Sequence, residues 1–248
     1  MSLVDTHCHL HDREFFSEEQ AEEMIKRAHE NGVMKIICIG TSHEDSLVAR
    51  DFASQHDDVY WTYGIHPENA GRVAERDFSD ARPIAIGEVG LDYHHEGYNR
   101  EAQIKLFEQM LQLASDNDLP LSFHVREAFD DFLPVVANFP KVRGVVHSFS
   151  DNKKNLKRIL NETDFYIGVN GMATYSTLPT PPLERILLET DAPFLTPVPF
   201  RGIINECAYI RNIAEWLAVK LGDSFENIEK ETTNNASKLF RFTDSIIR

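Results

Sequence analysis

The chain is poor in cysteine, in long apolar runs and in positive charge. Cys8, Cys38 and Cys207 are the only three cysteines in 248 residues, and none form a Cys-x-x-Cys pair. That excludes a disulfide framework and points to a reducing compartment. No apolar stretch approaches the roughly 18 residues of a membrane-spanning helix, and the N-terminus lacks a basic segment followed by an apolar one. A cytoplasmic location with no membrane partner is therefore expected. Lysine and arginine number 25 against 40 acidic residues, a net charge of −15, so overall electrostatics do not favour wrapping nucleic acid. An acidic enzyme can still bind phosphate where bound cations reverse the local sign. No glycine-rich loop follows the first apolar run, which counts against an open doubly wound sheet. No linker, repeat or low-complexity segment divides residues 1–248, which read as one domain.

What is present is an alternation of short apolar runs and amphipathic stretches. Strands are expected at Leu3–Thr6, Val33–Ile39, Val59–Tyr63, Ile84–Val89, Leu121–His124, Gly144–His147, Phe165–Gly168 and Arg185–Glu189. Between them Ser17 reads as the cap of a helix running to about Asn31-Gly32, and His43–Gln55 as a second helix. A less regular helical piece covers about Ala70–Phe78. The longest helix, about Arg100–Asn117, repeats Ile104, Phe107, Leu111 and Ala114 at helical spacing. Helices over Ala128–Ala137 and around Lys153–Arg158 follow, the latter's basic residues reading as a solvated face. Two helices, about Glu206–Leu221 and Phe225–Phe240, close the chain. Eight strands alternating with helices over this length predict an α/β fold, a (β/α)8 TIM barrel with an extra C-terminal helix. Between Gly171 and Leu183 the prolines Pro179, Pro181 and Pro182 leave no room for a full helix, so the seventh unit is expected to be degenerate.

Barrels of this kind do their chemistry at the carboxyl ends of the strands. Those ends carry His7 and His9, then Glu88, His124, His147 and Asp191. His7 and His9, two apart on a strand, leave from one face and can aim both imidazoles at one point. Cys8 between them faces the other way, as buried filler. Carboxylates and histidines converging on one rim need countercharge, and divalent cations supply it. Four histidines and two carboxylates exceed one tetrahedral ion and suit two ions roughly 3.5–4 Å apart. Two cations sharing a water would acidify it and generate hydroxide near neutral pH. Imidazole donors admit zinc, iron, nickel or manganese, and phosphodiester chemistry also recruits magnesium.

The motifs Val4-Asp5-Thr6-His7-Cys8-His9-Leu10, Gly64-Ile65-His66-Pro67, Gly87-Glu88-Val89-Gly90-Leu91-Asp92-Tyr93, His124-Val125-Arg126-Glu127-Ala128, His147-Ser148-Phe149 and Glu189-Thr190-Asp191-Ala192-Pro193-Phe194-Leu195 resemble those of the TatD-like metal-dependent deoxyribonucleases. That family belongs to the amidohydrolase superfamily. The resemblance runs from residue 4 to Phe240, with Thr232 and Asn235 matching in the last helix. It implies a TIM barrel with a dinuclear centre: His7, His9 and Asp191 on one ion, His124 and His147 on the other, Glu88 bridging. It also implies hydrolysis of DNA phosphodiester bonds, with exonuclease action on single strands or strand ends. Glu88 and Asp191 would be the catalytic carboxylates, Asp191 exchanging a proton. Arg126 and His66 match substrate-facing positions, and Arg201 is a further phosphate candidate.

The chain departs from the family's His-Arg-Gly-Lys-x-Asn-x-Pro stretch. Here it reads Phe200-Arg201-Gly202-Ile203-Ile204-Asn205-Glu206-Cys207, so a lysine becomes Ile203 and a proline Cys207. The segment Thr174–Pro182 is also short. Both changes bear on substrate choice, and a small ester, amide or other phosphoester stays open as substrate. No lysine sits at a strand end suited to carbamylation, which weighs against the amide. A scaffold with a structural metal is the third reading, disfavoured by the scarcity of cysteine. Phe15, Phe16, Tyr93, Phe149 and Phe194 offer either base stacking or core packing. His94 and His95, consecutive on a loop, are not expected to ligate one ion together.

Overall fold

The computed structural model describes residues 2–71, 78 and 81–242. Among the described residues the strands are β1 (Leu3–Cys8), β2 (Val33–Cys38), β3 (Val59–Tyr63), β4 (Ala85–Asp92), β5 (Leu121–Arg126), β6 (Gly144–Val146), β7 (Tyr166–Val169) and β8 (Ile186–Leu188). The helices are α1 (Glu18–Glu30), α2 (His43–Ala53), α3 (Arg100–Asp116), α4 (Phe129–Ala137), α5 (Lys153–Glu162), α6 (Ile210–Leu221) and α7 (Phe225–Phe240). The helical piece expected over Ala70–Phe78 falls largely outside the described residues.

All the strands are parallel and follow chain order from β1 to β8. The two end strands meet across a polar seam: Thr6 Oγ1 donates to Leu188 O at 3.0 Å and the Asp191 amide to His7 O at 2.8 Å. Asp5, wholly buried, accepts from the Thr190 amide at 2.9 Å and its hydroxyl at 2.6 Å. Val4, Ile37, Ala85, Val145 and Leu187 form one apolar cluster with Leu239 and Phe240 of α7. Asn235 pins α7 by donating to the carbonyls of Leu183 and Ile186, both at 3.0 Å. The result is the (β/α)8 TIM barrel that the alternation predicts.

Local chemistry accounts for the elements. Ser17 caps α1 in a reciprocal box with Gln20, satisfying amides that a helix start leaves open. Between β7 and β8 only 3-10 turns form, at Gly171–Thr174 and Leu183–Arg185, as the prolines require. In α3, Phe107, Leu111 and Ala114 are buried as their spacing predicts, but Leu106 and Met110 are buried as well and Ile104 only half so. The stripe is rotated because Gln103 faces inward, clamping the Asp92 backbone with two bonds of 2.8 Å. The expected helix from Glu206 begins instead as a 3-10 turn, Cys207–Tyr209, before α6.

Candidate metal centre

β4 and β5 run past the apolar stretches that announced them, and those extensions carry functional side chains. Gly90 makes this possible: its φ is 149°, and a Cβ there would lie 2.0 Å from the His124 carbonyl oxygen. Without a side chain, β4 presses onto β5 and brings Glu88 and Asp92 to either side of the His124 ring. His124 Nδ1 lies 2.7 Å from Glu88 Oε1 and Nε2 lies 2.8 Å from Asp92 Oδ2.

The remaining predicted ligands close around Glu88 and Asp191. His7 Nε2 is 3.6 Å from Glu88 Oε2 and 3.7 Å from Asp191 Oδ1, and His9 Nε2 is 3.5 Å from Asp191 Oδ1. His147 Nε2 is 3.9 Å from Glu88 Oε1 and 3.9 Å from Asp191 Oδ2. The His7 and His147 rings stack at 3.4 Å. Asp191 adopts a left-handed backbone, φ 60°, which aspartate tolerates better than most residues.

These separations bear on whether a cation fits. Gaps of 3.5–3.9 Å are too long for hydrogen bonds. They approach the spacing of about 3.4 Å between neighbouring ligands on a tetrahedral ion with bonds near 2.1 Å. His7 Nε2 is buried with no hydrogen-bond partner, an unpartnered imidazole nitrogen between two carboxylates. His7, His9 and Glu88 form one group of metal-competent donors, and His66, Asp92 and His124 another. The residues present fit divalent cations.

Behind each ring sits a group that holds it. His7 Nδ1 bonds Ser122 Oγ at 3.3 Å, and His9 Nδ1 donates to Ile39 O at 3.1 Å. His147 Nδ1 lies 3.0 Å from Glu189 Oε1, an ion-pair approach without hydrogen-bond geometry. Glu189 is fully buried, its Oε1 accepting the Ser148 amide at 2.6 Å, while its Oε2 has no partner. Gly168 makes room for it, since a Cβ there would lie 2.3 Å from that Oε2. Such outer carboxylates orient metal-binding imidazoles. Asp92 and Glu189 are absent from the ligand set read in sequence. Their signal is position: Asp92 ends β4 four residues past Glu88, and Glu189 directly follows β8.

Protons on its histidines balance the charge of this pocket. Burial opposes charge on His9, His124 and His147, but Asp191 beside His9, Asp92 and Glu88 beside His124, and Glu189 and Asp191 beside His147 lift all three to about 9. Burial also works against the ionised carboxyls, yet His124 and His7 hold Glu88 well below the usual carboxylate range. His147 and His9 do the same for Asp191. Burial, aided by the charge on His147, lowers His7 and keeps it a neutral donor.

The mouth around this cluster is a cavity of about 750 Å³. His66 lines it, its Nε2 3.9 Å from Glu88 Oε1 and its Nδ1 accepting the Glu68 amide at 3.3 Å. Burial lowers its pKa as well. Arg126 lines the wall with an exposed side chain that pairs with no carboxylate among the described residues. Arg201 is not brought into the mouth. Its guanidinium lies 4.0 Å over the Tyr175 ring and donates to Thr196 O at 3.2 Å. Of the rim aromatics, Phe16 and Phe149 are core, Tyr93 is half-buried with its hydroxyl on Asp131, and Phe15 and Phe194 stand 42% and 47% exposed. His94 and His95 diverge to separate acids, Glu127 and Glu68. Arg158, on the basic face of α5, pairs with Asp130 and Glu162. None of the described helices is long and apolar enough to cross a membrane.

A histidine-carboxylate centre at the carboxyl end of a parallel barrel defines a metal-dependent hydrolase of the TIM-barrel class, and the comparisons narrow it. The TatD related DNase family model matches residues 4–241, and the chain belongs to that family. It is 32% identical to a metal-dependent hydrolase of Bacillus subtilis, YabD, over 96% of this chain and 99% of that one. It is 33% identical to the 3'-5' ssDNA/RNA exonuclease TatD of Erwinia tasmaniensis, over 88% and 93% of the two chains. The crystal structure of the TatD homologue YjjV from Escherichia coli superposes with a TM-score of 0.86 at 28% identity, covering 97% and 98%.

Proposed function

We propose that this chain degrades DNA as a metal-dependent exonuclease acting on single strands or strand ends, with two divalent cations. His7, His9 and Asp191 would hold one ion, His124 and His147 the other, and Glu88 would touch both. Zinc, manganese, magnesium, nickel and iron all suit this donor set. Bound cations supply Lewis-acid stabilisation of charge on phosphoryl oxygens and acidify water. The observation that carries the reading is the convergence of four histidines on Glu88 and Asp191, three of them at 3.5–3.9 Å and His124 at 2.7 Å from Glu88, with an unpartnered His7 nitrogen among them.

The chain's own groups do the rest. Asp191, held ionised, accepts the proton lost as water attacks phosphorus and returns one to the leaving oxygen. His66 is neutral with Nδ1 occupied as an acceptor, so its Nε2–H is free to donate to a substrate oxygen. Arg126 offers a planar fork to a phosphate oxygen pair. Phe15 and Phe194, edge to face at 5.3 Å, offer a stacking surface for an unpaired base. Arg201 serves the outer rim, where it steadies Tyr175.

The test is digestion of end-labelled single-stranded DNA, duplex DNA and RNA by chelator-treated protein reloaded with each metal. Turnover should need metal and proceed from one end of a single strand. Near-normal activity without metal would overturn the proposal. A second reading, a less charged ester or amide substrate, draws on Ile203 and Ile204, which stand 55% and 56% exposed in the stretch where the family carries a lysine. A panel of small esters and amides, run beside the DNA digest, decides between the two.

A further inference from the structure

The amino ends of the strands enclose a second cavity, of about 650 Å³, at the opposite end of the barrel from the metal centre. It lies between the starts of β3 and β6 and the ends of α2 and α7. In a chain with a net charge of −15, four arginines line it, Arg50, Arg82, Arg143 and Arg241, against a single carboxylate among the described residues, Asp118.

Their hydrogen bonds leave positive charge uncompensated. Asp118 is shared, accepting from Arg143 Nη1 at 2.5 Å and Arg241 Nη1 at 2.9 Å. Arg50 pairs with Asp51, outside the lining. Arg82 donates only to a neutral carbonyl, Asn117 O at 2.5 Å, and pairs with no carboxylate among the described residues. Arg143 is about three-quarters covered, and its Nε is buried with no hydrogen-bond partner. Arg82 and Arg241 are exposed to solvent, but Arg143 cannot shed its proton, and an anion seated among the three would meet its buried Nε. The lining cations are all arginine and none lysine, and planar forks match the oxygen pairs of a phosphate. Val59, Pro83, Pro120 and Phe240 add apolar wall.

We propose that this cavity binds a small phosphorylated molecule of nucleotide size, its phosphate held by Arg82, Arg143 and Arg241 and its body against the apolar wall. An extended nucleic acid fits less well, because the arginines ring one pocket without forming a track and the chain as a whole repels a polyanion. The site is independent of the hydrolytic reading.

Trp61 lines the cavity and gives a local readout. The chain has two tryptophans, so Trp216→Phe leaves Trp61 as the only one. Titrating metal-loaded W216F protein with inorganic phosphate, pyrophosphate and adenosine diphosphate should change its emission saturably. Adding Arg82→Gln and Arg241→Gln should weaken the response at least tenfold, and Arg82→Lys should fall between. If the double substitution impairs folding, Arg82→Gln alone carries the test, since it breaks no ion pair. No saturable response to any of the three probes would overturn the proposal. So would equal affinity in the arginine variants, or a response confined to single-stranded oligonucleotide.

Discussion

At the carboxyl ends of the strands, histidines are packed against Glu88, Asp92, Glu189 and Asp191, whereas at the amino ends arginines surround the lone Asp118. Both clusters are charged, but their chemistry differs. Imidazole can lose its proton and present a lone pair, so the mouth is suited to exchange protons for cations. Guanidinium keeps its charge, so the opposite end stays cationic across the same pH range. One barrel thus separates a site that adapts its own charge from one that cannot.

The largest expected effect lies in the mouth. Glu88→Gln or Asp191→Asn keeps volume and removes a donor, and should cost more than the roughly 100-fold that marks loss of an outer partner. Single-turnover rates on labelled single-stranded DNA, with circular dichroism to confirm folding, check it. A variant within tenfold of the parent would break the contrast between the ends. Glu189→Gln, which leaves every proposed ligand in place, should weaken metal retention or activity roughly 10–100-fold. Competition with a chromogenic chelator measures it, and no change would reduce Glu189 to packing.

Phe194→Ala should weaken single-strand binding by about 1 kcal/mol, the low end for a stacked base, and leave metal content unchanged. A separate test concerns pH. His9, His124 and His147 titrate near 9 in the metal-free fold, above the usual value of about 6.5. Their contribution to stability is therefore full below about pH 6.5 and lost as pH rises through 9. Chelator-treated protein should melt lower at pH 9.5 than at 6.5, by about 2–4 °C per kcal/mol lost. Metal-loaded protein should show the opposite trend, because its ligands bind deprotonated. Parallel melting curves would contradict the assignment.

Much of the site was legible because its donors sit where apolar runs stop. That rule picks out His7, His9, Glu88, His124, His147 and Asp191, which the fold brings together, and it passes over Asp92 and Glu189. Asp92 lies beyond the expected end of β4, a strand that continues only because Gly90 lets β5 close on it. Glu189 was visible as a residue, but its partner His147 lies 42 positions earlier and on another strand. The α3 stripe was misjudged by a fraction of a turn for a like reason: Gln103 is buried by its bonds to β4, which hydropathy does not record. Arg201 matched a family motif, yet its ring partner Tyr175 draws it off the cavity wall.

By itself the sequence determined the alternation of elements, the barrel they imply, the degenerate seventh unit and the kinds of donor at the strand ends. These follow from short-range geometry, two residues per strand repeat and 3.6 per helical turn, and from proline's missing amide. Only the tertiary structure decided which imidazole faces which carboxylate, which outer acid holds each ring, and that arginines distant in the chain share one cavity. Closing the barrel sets those distances, because it brings strands far apart in sequence onto a common rim.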